Sequence, residues 1–171
     1  MNTPSPGHGA APAARSQLFL VFHVGQERFA LPAVEIAEVL PRLLLKPIAQ
    51  APAWVAGIFA HRGRMVPVLD VRQLMFAEPA VTRTSTRLVL VHYRVDPAHP
   101  QRLLGLILEQ ANETLRCRAD EFRPYGLADR QTPYLGPVRE DAQGLMQRVS
   151  VQDLLDASVR ELLYAAAEEG A

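Results

Sequence analysis

Trp54-Val55-Ala56-Gly57-Ile58-Phe59-Ala60-His61-Arg62-Gly63-Arg64-Met65-Val66-Pro67-Val68-Leu69-Asp70 is the stretch whose reading decides the fold. Two apolar runs flank a short polar link that contains a glycine, the pattern of strand, tight turn and strand. Pro67 cannot donate a ladder hydrogen bond, so its strand belongs at a sheet edge or carries a bulge there. Asp70 followed three residues later by Gln73, and then by Leu74-Met75-Phe76, is a capping-box pattern that opens one short helix. Arg62, just before the turn glycine, is placed to present a guanidinium at a fixed angle, or else is an ordinary solvated turn arginine.

Upstream, Leu18-Phe19-Leu20-Val21-Phe22-His23-Val24 reads as a strand that ends at Gly25, with Arg28-Phe29-Ala30-Leu31 as its hairpin partner. Pro32 suits a first helical position. The apolar residues Val34, Ile36, Ala37, Val39 and Leu40, with Glu35 and Glu38 between them, predict a short helix that stops before Pro41. Downstream, Glu78 to Ser85 is a polar connector. The strand pattern then restarts at Arg87–Tyr93, again at Leu103–Glu109, and a third time in the alternating Glu113–Arg118.

The stretch also has an echo. Arg148-Val149-Ser150-Val151-Gln152-Asp153-Leu154-Leu155 lines up with Val68-Leu69-Asp70-Val71-Arg72-Gln73-Leu74-Met75, and each follows a strand-turn-strand with a glycine, Gly63 or Gly144. This predicts two similar β-rich halves, each small enough to be a barrel sharing a core with the other. The first half takes roughly residues 17–31 with 43–76, and the second takes 87–155. Ser158-Val159-Arg160-Glu161 is a second capping box, and Val159, Leu162, Leu163 and Ala166 recur at helical spacing, so residues 158–171 are expected to be a C-terminal helix and tail. Residues 1–16, rich in proline, glycine and alanine, read as a disordered leader, leaving 17–157 as the folded domain.

Composition excludes several classes. The chain has 171 residues, 49% hydrophobic and 21% charged, which is a globular balance. Lys plus Arg equal Asp plus Glu at 18 each, so no broad basic surface is available for nucleic acid or for a polybasic membrane anchor. No apolar run approaches the ~20 residues of a membrane span, and the N-terminus lacks a secretory pattern, so a cytoplasmic location with no membrane insertion is expected. One cysteine, Cys117, excludes a disulfide framework and a multi-Cys zinc site. Arg116 and Arg118 beside it would favour a thiolate, but the plainer reading is a partly exposed strand cysteine. The histidines, at 8, 23, 61, 92 and 99, show no metal-ligand spacing. His23 and His92 occupy similar places in the first strand of each half, as outward-facing residues or, on a sharper reading, as a metal pair. No phosphate loop, nucleophile elbow or paired base is present, so no catalytic residue, metal site or cofactor is expected.

On these residues the chain resembles the CheW-like domain of bacterial chemosensory coupling proteins. The resemblance rests on the opening Leu18–Phe22, on Phe29, on Pro52-Ala53-Trp54-Val55-Ala56-Gly57, on Arg62-Gly63 and on Val66-Pro67-Val68-Leu69-Asp70-Val71-Arg72. It spans about Gln17 to Leu155. It implies a mainly β fold of two intertwined five-stranded β-barrels with a C-terminal helix. It also implies a non-catalytic adaptor between the cytoplasmic tip of a chemoreceptor and the regulatory domain of a CheA-type histidine kinase. Such an adaptor is recruited to membrane-bound receptor arrays and packs into rings with related domains. Carried over by position, a receptor groove would involve Ile36, Glu38, Val39, Gly57, Arg62, Gly63 and Leu162, with a Glu38–Arg62 salt bridge orienting it. The chain departs from the family pattern at Ala60-His61, where Asn-Leu is usual, and at Gln147-Arg148, where apolar residues are. The altered turn suggests a specialised array controlling surface behaviour or a second messenger. The competing reading is a small barrel that binds nucleic acid or a small molecule.

Overall fold

The computed structural model describes residues 15–125 and 131–169. The expected leader therefore lies outside the described residues up to residue 14, and Ser16 already opens a strand. Among the described residues nine strands form: β1 (Ser16–Val24), β2 (Glu27–Pro32), β3 (Ile36–Pro41), β4 (Val55–His61), β5 (Arg64–Asp70), β6 (Arg87–His92), β7 (Leu103–Arg118), β8 (Leu135–Asp141) and β9 (Gly144–Val149). Two helices accompany them, α1 (Val71–Phe76) and α2 (Ala157–Glu169).

Three local expectations change. The helix expected after Pro32 is only a single 3-10 turn, Ala33–Glu35; Ile36–Pro41 is a strand whose residues alternate between half-buried and exposed. Apolar residues at 34, 36, 37, 39 and 40 satisfy a helical stripe, but pairing with β6 hydrogen-bonds the backbone and lets Ile36 pack on the core. The two strands expected at 103–109 and 113–118 are one, β7, bent at Gln110, where φ is +46°. Its partner β1 shifts register there, with His23 opposite Glu109 and Val21 opposite Glu113. The helix cap expected at Ser158 is Asp156, whose carboxylate accepts from the Val159 N–H at 2.9 Å and from the Ser158 hydroxyl at 2.8 Å. By contrast Asp70 caps α1 as expected, accepting from the Gln73 N–H at 3.1 Å.

The strands form two five-stranded arrays. Sheet I runs β3-β6-β7-β5-β4, with β5 parallel to β7 and the other pairs antiparallel. Sheet II runs β7-β1-β2-β9-β8, with β9 parallel to β2 and the other pairs antiparallel. The long β7 belongs to both: its first part pairs with β5 and β6, its second with β1. Neither sheet closes into a barrel by pairing of its edge strands. In each, one isolated bridge spans part of the gap, Lys46 with Ile58 in sheet I and Arg123 with Val138 in sheet II.

The repeat inferred from sequence is real in the hydrogen bonds. The Asp70 N–H donates to the Trp54 carbonyl at 2.8 Å, and the Ser150 N–H donates to the Tyr134 carbonyl at 2.8 Å. Both hairpins carry a register shift near their start, Val55/Gly57 and Leu135/Val138. After Ser150, however, the echo of α1 is only a 3-10 turn, Val151–Asp153. The sheets also do not follow the halves. Residues 17–31 pair with β7 and β9 in sheet II, not with the strands of residues 43–76.

Three apolar clusters result. Phe59, Val66, Val68, Leu88, Leu90 and Ile107 fill sheet I. Phe19, Val21, Ala30, Cys117, Phe122 and Met146 fill sheet II. The largest lies between them and takes the other faces of both sheets, including Leu20, Phe22, Leu31, Leu69, Val89, Leu106 and Val149, together with Leu163 and Tyr164 of α2. With both faces buried, β1 and β6 read as continuous apolar runs rather than as alternation. Gln147 and Arg148 do not disturb sheet II. Met146 and Val149 on either side are buried, the Gln147 amide donates to the Gly136 carbonyl at 3.1 Å, and the Arg148 guanidinium lies over the Phe19 ring.

Candidate functional site

The β4–β5 turn projects from the edge of sheet I. His61 pairs with Arg64 across it, and both central residues have positive φ, Arg62 at +50° and Gly63 at +77°. Two successive left-handed residues make the tight hairpin whose twist matches that of its strands. Gly63 takes this conformation freely, whereas Arg62 holds it against its side chain's preference. The guanidinium is 78% exposed.

Glu38 reaches this turn from β3, the opposite edge of the same sheet. Its carboxylate lies 3.4 Å from the Arg62 guanidinium, so the expected ion pair forms. The same oxygen lies 3.0 Å from His61 Nε2. The sequence reading treated His61 only as a departure, yet it is the nearer partner of Glu38 and the more buried one. A bulge between Ile36 and Glu38 in the β3–β6 ladder precedes the carboxylate. The pair ties two edge strands that share no ladder. At this exposure it contributes about 0–1 kcal/mol to stability.

The other expected site residues divide. Ile36 packs on the shared core, and Val39 is exposed on β3. Gly57 is buried with φ of +146°, and a Cβ there would stand 2.5 Å from the Lys46 carbonyl oxygen. Its role is to admit the segment before β4 that bridges to Ile58. Leu162 is half-buried on α2, while its neighbour Leu163 is fully buried. Among these, the structure brings Glu38, Arg62 and Gly63 to one turn; Leu162 lines neither of the clefts beside it.

Two clefts flank the turn. One, about 450 Å³, lies between Gly63–Val66, the 98–103 loop and α2. Here Tyr164 stacks on the buried Tyr93 with ring centres 5.6 Å apart, its hydroxyl donates to the Leu103 carbonyl at 2.8 Å, and Arg102 lies 4.5 Å above its ring. Burial pushes the Tyr164 hydroxyl well above the usual phenol range. Arg102 also meets Glu168 and Asp96, each at 3.3 Å, which fastens α2 to the loop. The other cleft, about 660 Å³, is lined by Glu38, His61, Arg62 and His92, and also by Arg64, Arg94 and Gln101, which sequence reasoning did not single out. The repeated basic residues around Gly63 were the available signal.

Cys117 is not the partly exposed cysteine expected. Alternation along β7 turns Arg116 and Arg118 outward and Cys117 into the core of sheet II, and burial pushes its thiol up. His23 and His92 are both half-buried, and among the described residues no group of three or more His, Cys, Asp or Glu could hold a metal ion. Among them, too, no helix is long and apolar enough to cross a membrane.

Residues 18–159 match the CheW-like domain family, and the chain belongs to that family. It is 37% identical over 79 residues to Protein FrzA of Myxococcus xanthus, covering 46% of this chain and 49% of the relative. It is 27% identical over 108 residues to Chemotaxis protein CheW of Klebsiella aerogenes, covering 63% and 61%. The chain thus spans about half to three fifths of the length of these relatives. In fold it is similar to the crystal structure of the scaffolding protein TtCheW from Thermoanaerobacter tengcongensis, with a TM-score of 0.71 at 17% identity, covering 91% of this chain and 96% of that one.

Proposed function

We propose that the chain is a non-catalytic adaptor that couples a chemoreceptor's cytoplasmic tip to a CheA-type histidine kinase, with the Glu38–Arg62 turn at the receptor groove. The observation that carries this reading is an exposed arginine held in a left-handed turn by a carboxylate from the opposite sheet edge, in a chain of the CheW-like family. A side chain fixed this way loses little freedom on docking, which favours a binding role over a stabilising one. Within arrays the chain works at the membrane by recruitment, and it packs beside kinase regulatory domains and other CheW-like domains. His61, in place of the family's usual leucine, adds a second partner to Glu38. This suits a dedicated receptor in a specialised array.

The test is titration of the full chain with a receptor cytoplasmic hairpin fragment and, separately, with a kinase regulatory domain. Arg62→Ala and Glu38→Ala are each expected to weaken receptor binding about tenfold, with circular dichroism unchanged. Unchanged affinity in both variants would overturn the groove assignment. Failure of the wild type to bind either partner would overturn the adaptor reading.

A further inference from the structure

The cleft beneath the turn carries an excess of positive charge in a chain whose charges balance overall, 18 against 18. Arg62, Arg64 and Arg94 line it, and Glu38 is the one acidic residue among its lining residues. Three guanidinium groups against one carboxylate leave two positive charges uncompensated, before any contribution from His61 and His92.

Among the described residues two of these cations, Arg64 and Arg94, meet no carboxylate. The Arg64 guanidinium donates to the Gln101 carbonyl at 3.2 Å and to the Gln101 side-chain oxygen, both uncharged acceptors. Among the described residues Arg94 forms no ion pair. Its backbone N–H donates to the Gln152 side chain at 2.8 Å, and the Gln152 amide donates to the His92 carbonyl at 3.0 Å, which fixes the chain on both sides of Tyr93. Several arginines elsewhere do meet carboxylates: Arg28 with Asp141, Arg72 with Glu78 and Glu109, Arg102 with Asp96 and Glu168. Arg64 and Arg94 are exposed, and two arginines of one cleft without a carboxylate partner leave it open to anionic charge.

We propose that this cleft takes an acidic segment of a protein partner, one that brings two or more spaced carboxylates against Arg62, Arg64 and Arg94. The inference rests on reading the turn as a partner-docking site and names the chemistry of what docks there. The arginines come from separate points, the turn, the start of β5 and the segment after β6, around a cleft far larger than one phosphate. That spread suits carboxylates distributed along a chain, each met by a planar guanidinium fork. Glu38 would keep Arg62 oriented while leaving its outer face free.

The experiment is a backbone amide NMR titration of the full chain. The probes are a short helix-forming peptide with glutamates at i, i+4 spacing, the same peptide with glutamines in their place, and sodium pyrophosphate. The expected result is a saturable shift confined to residues 61–64, 92–94 and 101–103 with the glutamate peptide alone, weakened by added salt. The double variant Arg64→Gln/Arg94→Gln should lose about tenfold in affinity while its β7 resonances stay in place. No shift there, an equal shift with the glutamine peptide, or tighter binding of pyrophosphate would each overturn the proposal. The receptor fragment separates this outcome from the adaptor reading. Were it to bind wild type and double variant equally, the coupling function would stand and the acidic-segment inference would fall.

Discussion

At the scale of single residues, the glycines of the β4 and β5 region differ in what they permit. At Gly57 an added Cβ would be 2.5 Å from the Lys46 carbonyl oxygen and 3.0 Å from the Leu45 Cβ, in a backbone conformation that L side chains rarely adopt. Gly57→Ala must move the bridge at Ile58, and we expect a loss of about 2–3 kcal/mol in urea unfolding. A Cβ added at Gly63 would meet nothing within 4 Å beyond its chain neighbours, so Gly63→Ala meets only the cost of its positive φ, about 1 kcal/mol. Equal losses in the two variants would contradict this ordering. Cys117 gives a chemical check: its burial and raised thiol predict slow reaction with a disulfide reagent at pH 8, becoming fast once urea unfolds the chain. The turn was legible in the sequence because glycine between two apolar runs has few other readings. Cys117 was not, because an alternating strand shows that its faces differ without showing which of them is covered.

At the scale of elements, the misread helix shows where local pattern runs out. Residues 34–40 satisfy a helical stripe as well as a half-buried edge strand, and the choice is made by β6, which arrives about fifty residues later in the chain and supplies the ladder from Ile36–Val91 to Pro41–Arg87. The α2 cap was displaced by two residues for a related reason: Asp156 and Ser158 both suit a cap, and α2 begins at Ala157, just after Asp156. Asp156→Ala should therefore destabilise the protein by about 1 kcal/mol, and Ser158→Ala by less. The dependence on pH has a definite sign. The Val159 N–H, then the Ser158 hydroxyl, hold the Asp156 carboxyl below its usual range. Its contribution is thus complete above the unfolded value of about 4 and fades as the pH falls through the lowered folded value. Thermal melts of wild type and Asp156→Ala should differ near neutral pH and converge as the pH falls through the lowered folded value. A constant gap would mean that Asp156 acts through packing rather than charge.

At the scale of the whole molecule, the halves repeat in order but exchange strands. Sheet I takes β3, β4 and β5 from the first half and β6 with the front of β7 from the second; sheet II takes β8, β9 and the back of β7 from the second and β1 with β2 from the first. Short-range pattern could show the repeat, since each hairpin has the same spacing, but not the exchange. The parallel pairing of β2 with β9 joins Arg28 to Met146 across most of the chain, and nothing near either residue announces the other. The exchange has an energetic consequence. Neither sheet can form from a contiguous half, and the largest apolar cluster needs faces from both. Arg28 adds a local tie, bound to the β8–β9 turn by two hydrogen bonds to Asp141 at 2.7 and 3.1 Å and by one to Gln143 at 3.1 Å, with 8% of its surface exposed. Removing it leaves Asp141 with Arg139 at 3.0 Å and loosens the tie between β2 and the β8–β9 turn, a loss of about 1–2 kcal/mol. If the halves were independent, only sheet II would weaken. With strands exchanged, the loss must spread. Trp54, the only tryptophan, stands at the head of β4 in sheet I, far along the chain from residues 28 and 141. We therefore expect Arg28→Ala to lower the urea midpoint read by Trp54 fluorescence as much as the midpoint read by far-ultraviolet circular dichroism, with the two curves superimposable before and after substitution. A tryptophan transition left in place while the dichroism shifts would show two separable sheets.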